Sequence, residues 1–161
     1  MLNYLGQVVG ITAAIVTNSQ GLGFVIPSET ILREIGSLVE TGSYTKHSWL
    51  GIVGSDMDYE IAQAMGTDFT YGVLFTQLTS GGPADKAGLR AGTTQLQTPT
   101  GTVTIGGDIV IALDGVRIVN SDELLSYIES NTLPGQTINM TIVRDNQTMG
   151  IPVVLGTRPP A

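Results

Sequence analysis

His47 is the only histidine of the chain, and it is a candidate general base. Ser48 follows it directly, so a serine nucleophile paired with a histidine base is the first chemistry to consider. Such a pair also needs a carboxylate that orients the imidazole, and residues that are neighbours in sequence rarely point at each other. We therefore interpret His47 as a linker residue or, together with Lys46, as a source of positive potential near the predicted carboxylate loop.

Acidic residues are the other candidates for chemistry. Asp56, Asp58 and Glu60 could bind a divalent cation, but acids are also stabilised in the first turn of a helix by the helix dipole, and we expect that ordinary role. Asp108 and Asp114 flank a predicted strand, so we expect them in turns rather than in acid–base catalysis. The sequence therefore predicts no catalytic residue, no metal site and no cofactor.

The composition disfavours several other functions. The chain has no cysteine, which excludes disulfides and thiol catalysis. Its net charge is −7, and its seven basic residues are scattered singly, so neither nucleic acid nor an anionic membrane surface is an expected partner. The hydrophobic fraction of 42% is enough for a packed core.

The segment 80–92 carries the clearest local signal. Pro83 suits the first position of a short helix, Gly88 can take the left-handed conformation that ends it, and Leu89 can fold back onto its last turn. We also predict strands at 72–78 and 107–118, the second of which is broken by an Asp-Gly turn. Helices are predicted at 56–66 and 120–129. Two hairpins are predicted, one at 93–106 and one that pairs 137–143 with 149–155.

The first part of the chain predicts a separate hairpin and helix. Residues 5–26 form two apolar strands around turn residues at 17–21. A helix then follows, with Ser28 as its N-cap and its end at Thr41-Gly42.

The order of these motifs resembles the PDZ domain of HtrA/Deg-type serine proteases. In those domains a strand leads through a Pro-Ala-x-x-Ala-Gly-Leu helix, here Pro83 to Leu89, into a Gly-Asp–hydrophobic–Asp-Gly segment, here Gly107 to Gly115. The resemblance extends from about residue 46 to residue 156. It implies an α+β fold, a partly open β-barrel with two helices, that binds peptides rather than performing catalysis.

Residues 1–45 resemble the end of the chymotrypsin-like protease domain of the same family. Gly6–Ile11 and Gly21–Ser28 match its last strands, and Met1-Leu2-Asn3 matches the residues directly after its nucleophile motif. The resemblance implies that the sequence starts just past the catalytic serine and is itself not an enzyme. We therefore divide the chain into a protease-domain remnant (1–45), a PDZ domain (46–157) and a tail (158–161).

Two segments compete for the carboxylate-binding loop of the PDZ domain. Gly21-Leu22-Gly23-Phe24 has the letters often quoted for this loop, but it leads into Val-Ile-Pro-Ser and a helix rather than into a strand that pairs with ligand. We therefore assign the loop to Ser48-Trp49-Leu50-Gly51-Ile52, because HtrA-type PDZ domains carry a similar aromatic-Leu-Gly-hydrophobic motif there.

The predicted groove has a loop, an edge strand and a helix. Backbone N–H groups of the loop can face a carboxylate, and Gly51 permits the close approach. The strand that starts at Ile52 offers an edge for an added strand. On the helix we expect Leu125 and Ile128 to face the groove and Leu124 to face the core, although their spacing alone also allows all three in the core. The predicted peptide-binding residues are Trp49, Leu50, Gly51, Ile52, Val53, Leu125 and Ile128.

The resemblance also implies partners and a setting. The partners are peptide or protein C-termini and unfolded protein substrates, which the domain captures for an HtrA-like serine endopeptidase. The resemblance suggests an extracytoplasmic or membrane-tethered parent, through which a homo-oligomer could form. Two alternatives stay open: a stand-alone PDZ adaptor, and an assembly module that joins protomers.

Overall fold

The computed structural model describes residues 1–15, 23–99 and 101–159. The chain divides into two compact units, Met1–Thr45 and Lys46–Ala161. The predicted turn at 17–21 lies outside the described residues. Within the described ranges, no helix is long and apolar enough to cross a membrane.

The first unit is a hairpin followed by a helix. Strand β1 (Gly10–Ile15) pairs antiparallel with β2 (Gly23–Pro27), and α1 spans Ser28–Thr41. The predicted N-cap is wrong by one residue, because Pro27 holds the extended cap conformation and Ser28 is already helical. The predicted end is confirmed: Gly42 is left-handed, with a φ of 74°, and its N–H donates to the Leu38 carbonyl.

The second unit contains ten strands and three helices among its described residues. The strands are β3 (Ser48–Trp49), β4 (Ile52–Asp56), β5 (Val73–Leu78), β6 (Thr94–Thr98), β7 (Gly101–Ile105), β8 (Ile109–Leu113), β9 (Val116–Arg117), β10 (Thr137–Arg144), β11 (Gln147–Val154) and β12 (Gly156–Thr157). The helices are α2 (Tyr59–Met65), α3 (Pro83–Lys86) and α4 (Ser121–Asn131).

One antiparallel sheet of six strands organises the second unit. Its order is β11-β10-β8-β5-β4, with β9 paired to β8, so β4 lies at an edge. Two small sheets accompany it: β3 pairs with β12, and β6 pairs with β7 as the hairpin predicted at 93–106. This mixture of helices and strands confirms the expected α+β fold class.

The helix predicted at 56–66 begins later than expected. Asp56 is the last residue of β4, and α2 starts at Tyr59 because Asp58 is its N-cap, with a side chain that accepts a hydrogen bond from the Ile61 N–H at 2.8 Å. Only Glu60 is an acid of the first turn. The short α3 is confirmed, with Pro83 at its start and the Leu89 N–H bonded to the Ala84 carbonyl.

The main sheet is buried on both faces. Along β5, Phe75 belongs to one buried cluster and Leu74 to the other, as the two-residue period of a strand requires. The first cluster also contains Leu50, Leu124 and Ile128, so it joins the loop before β4 to helix α4. This cluster fixes the position of the predicted groove.

Candidate peptide-binding site

The loop between β3 and β4 is held by its carbonyl groups. The Leu50 carbonyl accepts from the Ala84 N–H of α3 at 3.0 Å, and the Gly51 carbonyl accepts from the Thr79 N–H at 2.8 Å. Gly51 has a φ of 74°, a conformation that residues with a side chain adopt only with strain. The loop is therefore a tight turn whose acceptors are already used by the protein.

Among the described residues, the N–H groups of Leu50 and Gly51 have no protein acceptor. Both therefore remain available as donors to a ligand. Consecutive N–H groups around a left-handed residue form a concavity of partial positive charge that suits an anion.

Strand β4 presents an open edge beside this loop. On the side of β4 that pairs with β5, Ile52 lies opposite Leu78, and Val53 lies opposite Gln77. Because the Gly51 carbonyl bonds the Thr79 N–H, the alternation of an antiparallel ladder directs the N–H and carbonyl of Ile52 away from β5. The side chain of Ile52 is half-buried against the first cluster, and that of Val53 is 54% exposed.

Helix α4 lies across from β4. Asn120 caps its N-terminus by accepting from the Glu123 N–H at 2.9 Å. Leu124 faces the core, as expected, with 2% exposure, and Leu125 is 59% exposed. Ile128 differs from its expected position: it is 6% exposed and packs with Leu124 and Leu50, because residues four apart share a helix face. Its side chain can line the bottom of a groove, but it is too buried to form an accessible side of one.

Two polar bridges tie α4 to the strand side of the groove. At one end, Asp56 accepts hydrogen bonds from both the N–H, at 2.7 Å, and the hydroxyl of Ser121. At the other end, Nδ1 of His47 lies 2.8 Å from a carboxylate oxygen of Glu129. The two bridges limit how far α4 can move from β4. His47, which the sequence predicts as a linker residue, thus contacts α4 through Glu129.

Sequence reasoning did not find the Asp56–Ser121 bridge. The two residues are 65 positions apart, and each has a local explanation, Asp56 as an acid near a helix start and Ser121 as a polar residue of a helix N-terminus. No spacing rule joins them, so only the fold could reveal the pair.

Trp49 lies on the far side of the loop. A Cβ added to Gly51 would lie 3.1 Å from its ring, and Cβ atoms added to Gly82 and Gly156 would each lie 3.6 Å from it. The ring therefore packs toward the start of α3 and toward β12. Of the predicted binding residues, Leu50 and Ile128 belong to one buried cluster with Ile52 packed against it, and Val53 and Leu125 are exposed. Gly51 forms the turn of the loop, and the Trp49 ring lies beside Gly51, Gly82 and Gly156.

The two acids that flank β8 have structural contacts. Asp108 is 1% exposed and binds the guanidinium of Arg144, and the hydrogen bond to Asp108 raises the pKa of Arg144 while burial opposes this. Asp114 has a φ of 48° in the turn before β9 and accepts from the hydroxyl of Tyr127 at 3.1 Å. Both carboxylates are engaged as expected for turn residues.

The comparisons with known proteins point to one family. The family model described as "PDZ domain" matches residues 48–155. A probable periplasmic serine endoprotease, DegP-like, of Ectopseudomonas mendocina (strain ymp) is 33% identical over 162 residues, which cover 99% of this chain and 31% of the relative. A protein of the same description from Chlamydia trachomatis is 34% identical over 158 residues, covering 96% of this chain and 28% of the relative. The chain thus spans about a third of the length of these relatives.

The solved structures that are similar to this chain include HtrA-type proteases. The HtrA-type protease AlgW solved with a decapeptide superposes at a TM-score of 0.70 with 26% identity, covering 97% of this chain and 44% of that chain. AlgW solved with a tripeptide superposes at 0.68 with 26% identity, covering 99% of this chain and 48% of that chain.

Proposed function

Because this chain belongs to the PDZ domain family and is similar to HtrA/DegP-like serine endoproteases along nearly its whole length, we propose that residues 46–157 capture the C-termini of peptides and unfolded proteins. The resemblance and the fold expected from the motif order are confirmed. The ligand lies between β4 and α4, with its carboxylate at the loop and its backbone along β4.

The observation that supports this proposal is that the N–H groups of Leu50 and Gly51 have no protein acceptor among the described residues. A carboxylate at this point accepts from both donors, and a hydrogen bond to a charged group contributes about 1.5–3 kcal/mol. The chain terminus of a peptide supplies that anion together with an extended backbone for the edge of β4.

The side chains around the loop determine the last ligand residue. Leu50, Ile52, Leu125 and Ile128 are all aliphatic, and apolar contact gains about 25 cal/mol per Å² whereas an unpaired charge is penalised. The last residue is therefore Val, Leu, Ile, Phe or Ala rather than Asp or Lys. Affinity is on the order of micromolar, because a short flexible peptide loses much entropy on binding.

A paired titration tests the proposal. A fluorescent peptide with an apolar C-terminal residue is compared with its C-terminal amide, which has the same side chains but no terminal charge. We expect the acid to bind at least about tenfold more tightly, equal to about 1.4 kcal/mol, because only the carboxylate satisfies both loop donors. Equal affinities for acid and amide would contradict the proposed site.

The function of the whole protein is proposed from its relatives. The domain captures substrate and regulates an HtrA-like serine endopeptidase in an extracytoplasmic compartment, in line with the relatives named periplasmic. The AlgW structures solved with peptides support capture of a peptide ligand. This chain itself is not hydrolytic, so a serine-directed fluorophosphonate probe should leave it unlabelled, and stoichiometric labelling at any serine would contradict this.

An assembly role is the second candidate, and one observation favours it. The described side chains of α1 include none that is buried, and Leu32 and Val39 are 75% and 80% exposed. Apolar surface of this kind is usually covered by more protein. Size measurement with and without peptide separates the two functions: a monomer that binds peptide supports capture alone, and an oligomer supports assembly through the first unit.

A further inference from the structure

We propose that Trp49 couples ligand binding at the loop to the pairing of β12 with β3, so that each stabilises the other. This inference rests on the proposed function and concerns the regulation of the same site. It assigns Trp49 the role of a positioning residue rather than that of a ligand contact.

The ring of Trp49 fills a slot whose floor is made by three glycines. These are Gly51 of the loop, Gly82 at the start of α3 and Gly156 in β12, with Cβ clearances to the ring of 3.1, 3.6 and 3.6 Å. A Cβ at Gly51 would press on the ring, whereas 3.6 Å at Gly82 and Gly156 is ordinary van der Waals contact. The conformation of Gly51, and hence the direction of the loop N–H groups, therefore depends on where this ring sits.

The strand β12 has two residues, Gly156 and Thr157. Gly156 lies opposite Trp49 and Thr157 opposite Ser48 of β3, and among the described residues the Arg158 N–H donates next to the His47 carbonyl at 3.0 Å. Short strand pairs of this kind open locally at a lower free energy than the core. When β12 leaves, the Trp49 ring loses the backbone at Gly156 that it packs against.

The coupling follows from these two contacts. A carboxylate binds only the loop conformation in which the Leu50 and Gly51 N–H groups converge. Binding therefore favours the position of the Trp49 ring beside Gly51 and Gly156, and this ring position in turn favours the pairing of β12 with β3. Linkage between two equilibria is reciprocal. Release of β12 must therefore lower the affinity for the ligand by the same factor by which the bound ligand stabilises the pairing of β12 with β3.

Hydrogen exchange of the Arg158 amide measures this coupling in the 161-residue chain. With the acid peptide at about 100 times its Kd, we expect Arg158 exchange to slow by at least about threefold, with about 100-fold as the limit for complete linkage. The Thr67 amide, which donates to the Ala62 carbonyl after α2, serves as the internal control and should not change. Deletion of residues 156–161 should weaken the acid peptide by the same factor.

Two variants test the role of the ring itself. Trp49→Leu keeps an apolar side chain but cannot span the three glycines, so the peptide should no longer slow Arg158 exchange. Trp49→Phe keeps part of the ring and should retain part of the effect, and it replaces the leucine variant if that one does not fold. Fluorescence of Trp49, the only tryptophan, verifies saturation in the wild type.

The outcomes separate this inference from the proposed function. If neither the acid nor the amide peptide binds, both are wrong. If the acid peptide binds but Arg158 exchange stays the same, only the coupling is wrong. If Trp49→Leu shows the wild-type protection, Trp49 is not the residue that transmits it.

Discussion

Arg144 and Asp108 form a two-point ion pair, with Nε 2.7 Å from Oδ1 and Nη2 2.6 Å from Oδ2. The same carboxylate accepts from the Arg90 N–H at 2.8 Å, and Nη2 of Arg144 also donates to the Gly88 carbonyl. The pair therefore joins the end of β10 to the turn that follows α3 and to the start of β8. This junction holds α3 in place, and α3 in turn holds the loop through the Leu50 carbonyl.

The first prediction concerns this junction. Asp108→Ala should lower the free energy of unfolding by about 3 kcal/mol, because it leaves the guanidinium of Arg144, whose side chain is only 15% exposed, without its carboxylate partner. Urea unfolding measures the change. Asp68→Ala removes the same charge from an exposed position and should stay within about 0.5 kcal/mol of wild type. Similar losses in both variants would mean that the ion pair is not what stabilises this region.

The second prediction concerns stability at high pH. Burial raises the pKa of Tyr127 above its ordinary value of 10.0, and the hydrogen bond to Asp114 and the charge of Asp114 raise it further. A raised folded-state pKa stabilises the protein below the unfolded value, and this contribution is lost as the pH rises through the folded value. Tyr127→Phe should therefore flatten the fall in the free energy of unfolding above about pH 10.

Absorbance of tyrosinate measures the same titration directly. Asp114→Asn keeps an acceptor for the phenol but removes the charge, and Asn tolerates the positive φ at this turn. Among the five tyrosines, the one that ionises at the highest pH should then ionise at a lower pH. An unchanged titration curve would show that Asp114 does not act on Tyr127.

Local sequence patterns predicted most of the helices and strands. The positions of the candidate site residues depend instead on packing between distant segments. Pro83 and Gly88 bound a helix by local backbone chemistry alone, so that helix could be read from the sequence. Leu125 and Ile128 could not be distinguished, because which helix face meets the sheet depends on contacts with distant residues such as Leu50. The assignment of Trp49 to the binding loop stays a prediction, and the position of its ring beside glycines that lie 33 and 107 positions later is encoded by no local pattern.

The third prediction concerns the domain boundary. Residues 46–161 contain both buried clusters and the whole six-stranded sheet, whereas α1 has no buried residue. Deletion of residues 1–44 should therefore leave a folded and more soluble domain with cooperative unfolding, measured by circular dichroism and urea titration. Loss of cooperative unfolding would place the boundary elsewhere.

The fourth prediction concerns the wall of the groove. Leu125→Asp should weaken the acid peptide by about tenfold or more while the fold survives, because Leu125 is exposed and the new charge faces an apolar ligand residue. Ser126→Asp adds the same charge to α4 on the face that meets β9, and it should leave affinity unchanged. Equal weakening by both variants would indicate a general effect of charge rather than contact with Leu125.

The fifth prediction concerns the turn at Gly51. Gly51→Val places a β-branched side chain at a φ of 74° and sets its Cβ 3.1 Å from the Trp49 ring, so the loop N–H groups can no longer converge on a carboxylate. Affinity for the acid peptide should fall to that of the amide. Gly66→Val imposes the same backbone strain at a φ of 65°, but nothing lies within 4 Å of its Cβ, and it ends α2 rather than forming the loop. Gly51→Val should lose at least as much stability in urea as Gly66→Val, because it adds contact with the Trp49 ring to the same backbone strain, and only Gly51→Val should lose the preference for acid over amide. If Gly66→Val loses that preference too, strain spread through the domain explains the effect, and if Gly51→Val retains it, the carboxylate is bound by other donors.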